Sequence, residues 1–324
     1  MMTARRPCLA RHKQLMGGRF RFRSESEALL DVVEAAYAGH APHRFPQAGP
    51  ELDVELRLLP RRMPAAGEPP AVRTRLDGGI LCGIMDEHNY VLVSPQQRRA
   101  QVVASADMLD HPYHLRYELV EFAVFLLAAR CQGLVPVHAA CVGRDGRGLL
   151  LLGESGAGKS TLALHSLLRG LDFLSEDAVF VRPDGMLATG VANFLHVHAD
   201  VLHGIGDDAR RWIAGSPVIR RRSGVEKFEA DLQRAPAGTR LAATPLQLVG
   251  TVILSRHTAG GSRAELAPVA REDVAACLVA DQAYAMAQPG WHRFEQWALG
   301  SPAHRLQRGP HPGSSVDALQ RLLG

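Results

Sequence analysis

The sequence predicts an α/β fold, with a glycine-rich loop near the middle of the chain and a mixed α/β module in front. Three observations support this prediction. The run LLLLGESGAGKST at 149–161 places a glycine-rich loop between an apolar strand and a helical segment. Several short segments before residue 110 alternate apolar and polar residues, which is typical of strands with one buried face. The length of 324 residues is that of roughly two domains.

Composition excludes several classes of protein. Apolar residues make up 46% and charged residues 22%, which is typical of a globular chain and not of a collagen-like or disordered one. No apolar run reaches the roughly 18 residues of a membrane span, and residues 1–24 lack the apolar region of a signal peptide. We therefore expect a cytoplasmic protein without a membrane partner. A net charge of +4 is too small to indicate nucleic acid binding.

The five cysteines also bear on the class of protein. They show no C-x-x-C spacing and their number is odd, so we expect reduced thiols and neither a disulfide framework nor a zinc site.

The first domain is predicted over residues 1–110 and consists of short strands and one helix. Alternating patterns predict strands at 19–23, 52–59 and 89–93. The acidic first turn after Ser24 predicts a helix over 25–38. Asp77-Gly78-Gly79 predicts a hairpin turn within an antiparallel sheet.

The second domain is predicted over residues 111–324. It begins with a helix from Pro112, with Leu115, Leu119, Phe122 and Leu126 on one stripe. The strand-like segment VPVHAACV follows, then the apolar run 149–152, the loop and the helical segment TLALHSLLRG. A long apolar strand is predicted at 246–254 and a terminal strand within PAHRLQRG at 302–309.

The loop satisfies the pattern G-x-x-x-x-G-K-[ST] through Gly153, Gly158, Lys159 and Ser160. Glycines let backbone N–H groups turn towards a phosphate, and the start of the following helix adds partial positive charge. Lys159 is one of only three lysines among the 37 basic residues, with Lys13 and Lys227. The predicted nucleotide-binding residues are Gly153, Glu154, Ser155, Gly156, Ala157, Gly158, Lys159, Ser160 and Thr161.

A nucleotide site of this kind needs an acidic side chain that binds the metal ion or accepts a proton. The apolar strand 246–254 runs into Ser255-Arg256 and offers no acid at its end. The segment LDFLSEDAVFV carries Glu176 and Asp177 instead. A helix followed by a strand parallel to the first would return these carboxylates to the loop.

These residues resemble a known family. The segment GLLLLGESGAGKSTLALHSLLRGLDFLSEDAVFV resembles the catalytic domain of HPr kinase/phosphorylase and the HPr-kinase-related serine kinases, a group that includes lasso peptide kinases. The resemblance covers residues 136–181 and includes a histidine before the loop, here His138. It implies a P-loop kinase domain of the HPr kinase/PEP carboxykinase-like type.

The resemblance also implies an activity and roles for residues. We expect an ATP-dependent serine kinase that uses Mg²⁺ and transfers the γ-phosphoryl group to a protein or peptide, including a natural-product precursor peptide. Lys159 would contact the phosphates, His138 would position a carboxylate or the phosphate, and Glu176 or Asp177 would accept the serine proton. Ser160, Asp177 and Glu176 are the expected metal ligands.

Two departures from the family pattern shape this expectation. The first acid of the pair is Glu176 where the family has Asp, so the base is left open between Glu176 and Asp177. The glycine-rich phosphorylase signature is not recognisable at 185–225, which favours a one-way kinase. The first domain shows no match to the bifunctional enzymes, so we do not expect HPr as the substrate, and we predict that this domain selects the acceptor.

Two alternative functions stay open: the protein could act on a small hydroxylated molecule, or bind nucleotide as a regulatory module without transfer. Among partners, a second copy of the chain in a homo-oligomer also stays open. Downstream of the acidic pair, Arg220-Arg221-Arg222 and Lys227 form a basic run. We predict that Lys227 or Arg222 contacts a phosphate or an acidic substrate group.

Overall fold

The computed structural model describes residues 8–62, 67–261 and 263–324. The chain forms two compact units. The first contains the residues up to Ala38 together with Arg44–Gln132, and the second contains Gly39–His43 together with Gly133–Gly324.

The first unit is a seven-stranded mixed sheet with helices. Its strands are β1 (Leu9–Leu15), β2 (Gly18–Ser24), β3 (Glu51–Leu59), β4 (Arg73–Asp77), β5 (Ile80–Ile84), β6 (Tyr90–Ser94) and β7 (Arg99–Ser105), in the order β1-β2-β3-β7-β6-β5-β4. β3 runs parallel to β2 and β7, and the other neighbours are antiparallel. The helical segments are α1 (Glu27–Tyr37), a 3₁₀ turn (Ala106–Asp110), a π-helical segment (His114–Val120) and α2 (Glu121–Gln132).

The two faces of this sheet differ in character. In β2 the aromatic rings of Phe20 and Phe22 are buried, and the arginines that alternate with them point outwards, as the sequence pattern predicts. Arg21 and Arg23 both pair with Asp53 of β3. The outer face thus carries salt bridges between neighbouring strands. Exposed pairs of this kind contribute little to stability.

The boundary between the units lies after Gln132 and not near residue 110 as the sequence predicted. The reason is α2, whose Ala123, Val124 and Leu127 are buried and which packs on β3, β6 and β7 of the first sheet. The helix predicted from Pro112 therefore belongs to the first unit. It begins as a π-helical segment and continues as a regular α-helix.

The second unit is built on a ten-stranded sheet and a three-stranded sheet. The larger sheet contains β8 (Val135–His138), β9 (Ala140–Arg144), β10 (Arg147–Leu152), β11 (Asp172–Ser175), β12 (Ala178–Arg182), β13 (Leu187–Thr189), β17 (Arg240–Leu241), β18 (Leu246–Thr258), β19 (Glu265–Pro268) and β20 (Ala303–Arg308). The smaller sheet contains β14 (Phe194–Val197), β15 (Val218–Arg220) and β16 (Glu226–Asp231).

The helices of this unit connect and cover the sheets. They are α3 (Lys159–Leu168), α4 (Asp207–Ala214), α5 (Arg271–Asp281), α6 (Ala283–Met286), α7 (Trp291–Gly300) and α8 (Pro312–Leu323), with 3₁₀ turns at Ala199–Gly204 and Leu232–Arg234. Among the described residues, no helix is long and apolar enough to cross a membrane.

β10 lies inside the large sheet and is buried on both faces. It pairs antiparallel with β9 and parallel with β18, which in turn pairs parallel with β20. Leu149 and Leu151 pack into one apolar core with α3 and α8, while Leu150 and Leu152 pack into a second core with α5 and α7. A continuous apolar run is what a strand covered on both faces requires.

The acidic pair lies at an irregular junction, not within a continuous strand as the sequence suggested. β11 ends at Ser175 and β12 begins at Ala178, so Glu176 and Asp177 stand between them. β9 separates β11 from β10 and is antiparallel to both, so β11 is parallel to β10. The acids therefore return to the edge of the sheet at which the loop begins, as predicted.

We expect Val252→Ala in β18 to destabilise the protein by about 2 kcal/mol, because two buried methyl groups are lost and the dense core leaves a cavity. Val252 is fully buried and pairs with Leu151. Val279→Ala in α5 makes the same chemical change at a side chain that is 59% exposed, and it should shift stability by less than about 0.5 kcal/mol. Urea unfolding compares the two; equal losses would contradict this packing.

Candidate active site

The phosphate loop joins the end of β10 to the start of α3. Gly153, Gly156 and Gly158 have φ angles of 140°, 80° and 98°, which side-chain-bearing residues rarely adopt. Gly158 is the N-cap of α3, and its carbonyl accepts the first helical hydrogen bond from Leu162 N–H at 2.9 Å. The backbone geometry thus explains the glycines of the motif and leaves the first N–H groups of the helix for an anion.

Lys159 is buried and folds back over the loop. Its Nζ donates to the carbonyl oxygen of Gly153 at 2.5 Å and to that of Glu154 at 3.4 Å. An ammonium held this way places a full positive charge beside the free N–H groups of the loop.

One cavity, of about 480 Å³, joins the loop to the residues predicted to do the chemistry. Glu154, Ser155, Gly156 and Gly158 to Thr161 form one side of it. The remaining polar lining residues come from distant parts of the chain, and they are His138, Asp177, His196, His198, Asp200, Arg221, Ser223, Lys227 and Arg308.

Asp177 is held in this cavity by His138. Nε2 of His138 lies 3.1 Å from Oδ1 of Asp177, and Nδ1 lies 2.9 Å from Oδ2 of Asp281. The contact with His138 lowers the pKa of Asp177 to about 2, although burial opposes the shift. The same contact raises the pKa of His138 against the effect of burial, with a smaller contribution from Asp281. Asp177 is therefore an ionised, oriented carboxylate at neutral pH.

Gln282 fixes the backbone that carries His138. The His138 N–H donates to Oε1 of Gln282 at 2.8 Å, and Nε2 of Gln282 donates to the His138 carbonyl oxygen at 2.9 Å. Gln282 follows directly after α5, which ends at Asp281. Two adjacent residues thus position the imidazole ring and its backbone.

Glu176 is directed away from the cavity. Its Oε1 accepts hydrogen bonds from the backbone N–H of His196 at 2.9 Å and from Nδ1 of the same residue at 2.8 Å. Its Oε2 is buried without a hydrogen-bond partner. Burial lowers the pKa of His196, but hydrogen bonds with Glu176 and Glu229 outweigh this effect and raise it. Glu176 anchors β14 and is not a cavity-lining acid.

The basic run contributes a different arginine from the predicted one. Arg221 and Lys227 line the cavity, whereas Arg222 does not. Nε of Arg221 is buried without a hydrogen-bond partner. Burial, followed by repulsion from Arg221, lowers the pKa of Lys227. Lys227 stays a prediction as a substrate contact. The structure brings Arg221, and not Arg222, to the cavity, from the turn that follows the end of β15 at Arg220.

The end of β18 carries no acid, as predicted. Arg256 lies there instead, where its Nη2 lies 2.9 Å from Oε2 of Glu154 and donates to the carbonyl oxygen of Ser155 at 3.1 Å. This arginine stabilises the outer part of the loop.

Sequence reasoning missed three residues of this site: Asp281, Gln282 and Arg308. The sequence around Asp281 and Gln282 contains no motif that indicates a role. Their roles depend on contacts with a strand more than a hundred positions earlier in the chain. A signal for Arg308 was present, because the terminal strand in which it lies was predicted.

Comparison with known proteins adds a relationship over part of the chain. No family model matches. The chain is 31% identical over 131 residues to HPr kinase/phosphorylase of Bordetella avium (strain 197N), and 33% identical over 132 residues to that of Bordetella petrii. Each match spans 40% of this chain and 42% of the relative, so the chain spans about two fifths of the length of the curated relatives it matches.

A search of solved structures gives the HPr(Ser) kinase/phosphatase from Coxiella burnetii, with 14% identity over 58% of this chain and 96% of that one. Its TM-score is 0.28.

The fold and the loop define an α/β protein with a glycine-rich loop of the phosphate-binding pattern at the end of a buried strand. Over the matched two fifths of its length, the chain is similar to proteins named HPr kinase/phosphorylase.

We expect Asp177→Asn to lower the pKa of His138, because the contact that raises it loses its negative charge. An NMR titration of the imidazole, assigned with His138→Gln, measures this change. Asp200→Asn is the matched control, since Asp200 lines the same cavity but is not paired with His138. An unchanged His138 pKa in Asp177→Asn would contradict the geometry.

The same pair gives stability a defined pH dependence. The contribution of Asp177 is lost as the pH falls from about 4 towards its lowered pKa, and that of His138 is lost as the pH rises through its raised pKa. Asp177→Asn should therefore destabilise the protein most between about pH 4 and 6.5. Thermal unfolding across this range tests the sign; a difference that grows at high pH would refute it.

Proposed function

We propose that the protein is an ATP-dependent kinase that transfers the γ-phosphoryl group to a seryl hydroxyl of a protein or peptide. The observation that carries the proposal is the ionised Asp177 carboxylate, which faces the same cavity as the phosphate loop. A phosphoryl-transfer site needs these two components close together. The similarity to proteins named HPr kinase/phosphorylase supports a kinase activity.

The residues of the cavity fit a nucleotide phosphate chain. The loop N–H groups and Lys159 supply donors, and two buried guanidinium nitrogens, Nε of Arg221 and Nε of Arg308, lack hydrogen-bond partners within the protein. Buried charged donors without partners are costly, and an anion would satisfy them. The side chains thus fit ATP.

Mg²⁺ also fits the oxygen donors that face the cavity, namely the Ser160 hydroxyl and the Asp177 carboxylate. Glu176 does not fit this role, because it is bonded to His196 and lies outside the cavity lining. When bound, Mg²⁺ supplies positive charge that stabilises the transferring phosphoryl group.

In the proposed reaction, Asp177 orients the seryl hydroxyl and accepts its proton. A bond forms between the seryl oxygen and the γ-phosphorus, and the bond from that phosphorus to the β–γ bridging oxygen breaks, which yields ADP and phosphoserine. Lys159 neutralises charge on the phosphate chain, and Arg221 does so near Asp177. His138 acts through Asp177 as a positioning residue, and Asp281 and Gln282 act through His138.

The geometry favours Asp177 as the base over Glu176. Of these two acids, only Asp177 faces the cavity, and its pKa keeps it ionised at neutral pH.

We also propose that the first unit selects the acceptor. We further propose that phosphoryl transfer runs only from ATP to the acceptor.

We expect Asp177→Asn to lower kcat for phosphoryl transfer by about 10²- to 10⁴-fold, because the hydroxyl loses its proton acceptor. ATP affinity measured without Mg²⁺ should change little, since the loop and Lys159 are intact. Labelled Mg·ATP with candidate peptides gives the rate, and a fluorescent nucleotide gives the affinity. Lys159→Ala should lose both binding and transfer.

Two outcomes would overturn the proposal. One is transfer by Asp177→Asn at the wild-type rate. The other is nucleotide binding by the wild type without transfer to any peptide. Transfer to free hydroxylated metabolites alone would replace the peptide acceptor by a small molecule.

The two adjacent arginines allow a matched comparison. We expect Arg221→Gln to lower kcat by at least about tenfold, because a charge-assisted contact near the transferred group is lost. Arg222→Gln removes the same charge one residue away but outside the cavity lining, and should change kcat by less than about threefold. Steady-state kinetics separates the two, and a larger effect of Arg222→Gln would restore the sequence-based choice.

A further inference from the structure

Arg308 ends the last strand of the large sheet at the edge where the phosphate loop begins. β20 runs parallel to β18, and β18 runs parallel to β10, so the three strands end at the same edge. The backbone of Arg308 is fixed there, because its carbonyl oxygen accepts a hydrogen bond from the Ala259 N–H at 2.8 Å.

The guanidinium of Arg308 packs directly on the loop. A Cβ atom at Gly158 would lie only 2.6 Å from Nη1 of Arg308. The absence of a side chain at Gly158 therefore allows this approach, in addition to the positive φ angle that the position requires. The arginine is thus adjacent to the residue that caps α3.

The protein gives this guanidinium no acidic partner among the residues that the structure describes. Its Nε is buried without a hydrogen-bond partner. The nearby loop acid, Glu154, is paired with Arg256. In contrast, Arg305 of the same strand is exposed and paired with Asp273 at 3.1 Å. Of these two arginines of β20, Arg308 is the one without an acidic partner among the described residues.

We infer that Arg308 is a nucleotide-phosphate-binding residue, supplied to the loop by the last strand. This inference rests on the proposed nucleotide site. A guanidinium offers donors that match the oxygens of a phosphate group, whereas Lys159 offers a compact charge. The two side chains are therefore complementary ligands for one phosphate chain.

The position of Arg308 also indicates which phosphates it contacts. It lies against Gly158, while Arg221 lies close enough to Asp177 to lower the pKa of that carboxyl. Arg308 is therefore on the loop side of the cavity and Arg221 is on the side of the proposed base. We expect Arg308 to contact phosphate groups that ADP and ATP share.

Titration of the full-length protein with fluorescent ADP and ATP tests this assignment. Arg308→Gln should weaken both Kd values by about tenfold or more. Arg308→Lys keeps the charge and should weaken them less. Arg305→Gln, on the same strand but paired with Asp273, should leave both within about twofold of wild type.

The salt dependence of binding separates a phosphate contact from a structural role. Loss of a cation–phosphate contact makes Kd less sensitive to salt, because one screened charge interaction is removed. Damage to the fold would instead lower the Tm of the unliganded protein and leave the salt sensitivity of Kd as in wild type. A Kd for Arg308→Gln equal to that of wild type, or weaker binding with wild-type salt sensitivity, would overturn the assignment.

The outcomes also separate this inference from the proposed function. If the wild-type protein binds nucleotide and Arg308→Gln binds it equally well, only the role of Arg308 is wrong. If the wild-type protein binds neither ADP nor ATP, the proposed kinase function fails as well. If Arg308→Gln does not fold, Arg308→Lys provides the test: both Kd values should weaken because the forked donors are lost, the salt sensitivity should stay as in wild type because the charge is kept, and unchanged Kd values would overturn the assignment.

Discussion

The burial of β10 on both faces is the constraint on which the second unit depends. Its four leucines alternate between two apolar cores, and those cores bring α3 and α8 to one face and α5 and α7 to the other. A strand held this way ends at a fixed point, and the loop that follows can keep glycines in left-handed conformations. Preorganised N–H groups are effective for anion binding because they need no rearrangement when the anion arrives.

Charge is distributed around the cavity by several separate elements. Lys159 belongs to α3, Arg308 to β20 and Arg221 to the turn after β15, while Asp177 lies between β11 and β12. His138 keeps Asp177 ionised, and Asp281 supports His138 from the opposite side. Cations for a phosphate chain and an acid for a hydroxyl therefore face one cavity without neutralising each other by direct ion pairs among the described residues.

The parts of the site that could be predicted from sequence are those carried by short, contiguous segments. The glycines of the loop, Lys159 and the acidic pair lie within one strand–helix–strand unit, where spacing alone indicates proximity. Asp281, Gln282 and Arg308 could not be assigned because they reach the site through long-range sheet pairing and helix packing. That Arg221 and not Arg222 lines the cavity could not be predicted for another reason, since the direction of a side chain after a short strand depends on the turn. The domain boundary could not be predicted either, because an apolar helix pattern does not indicate which of two sheets the helix packs against.

The different environments of Glu176 and Asp177 affect how relatives of this chain should be compared. The two acids are adjacent, yet one faces β14 and the other faces the cavity, because the backbone changes direction between two strands. The environment of each carboxylate is thus set by the direction of the backbone at this junction and not by the composition of the motif. Equivalent acids in such proteins are therefore those that contact the histidine of β8 in the structure. A sequence alignment that matches the first acid of one protein to the first acid of another can pair residues with different roles.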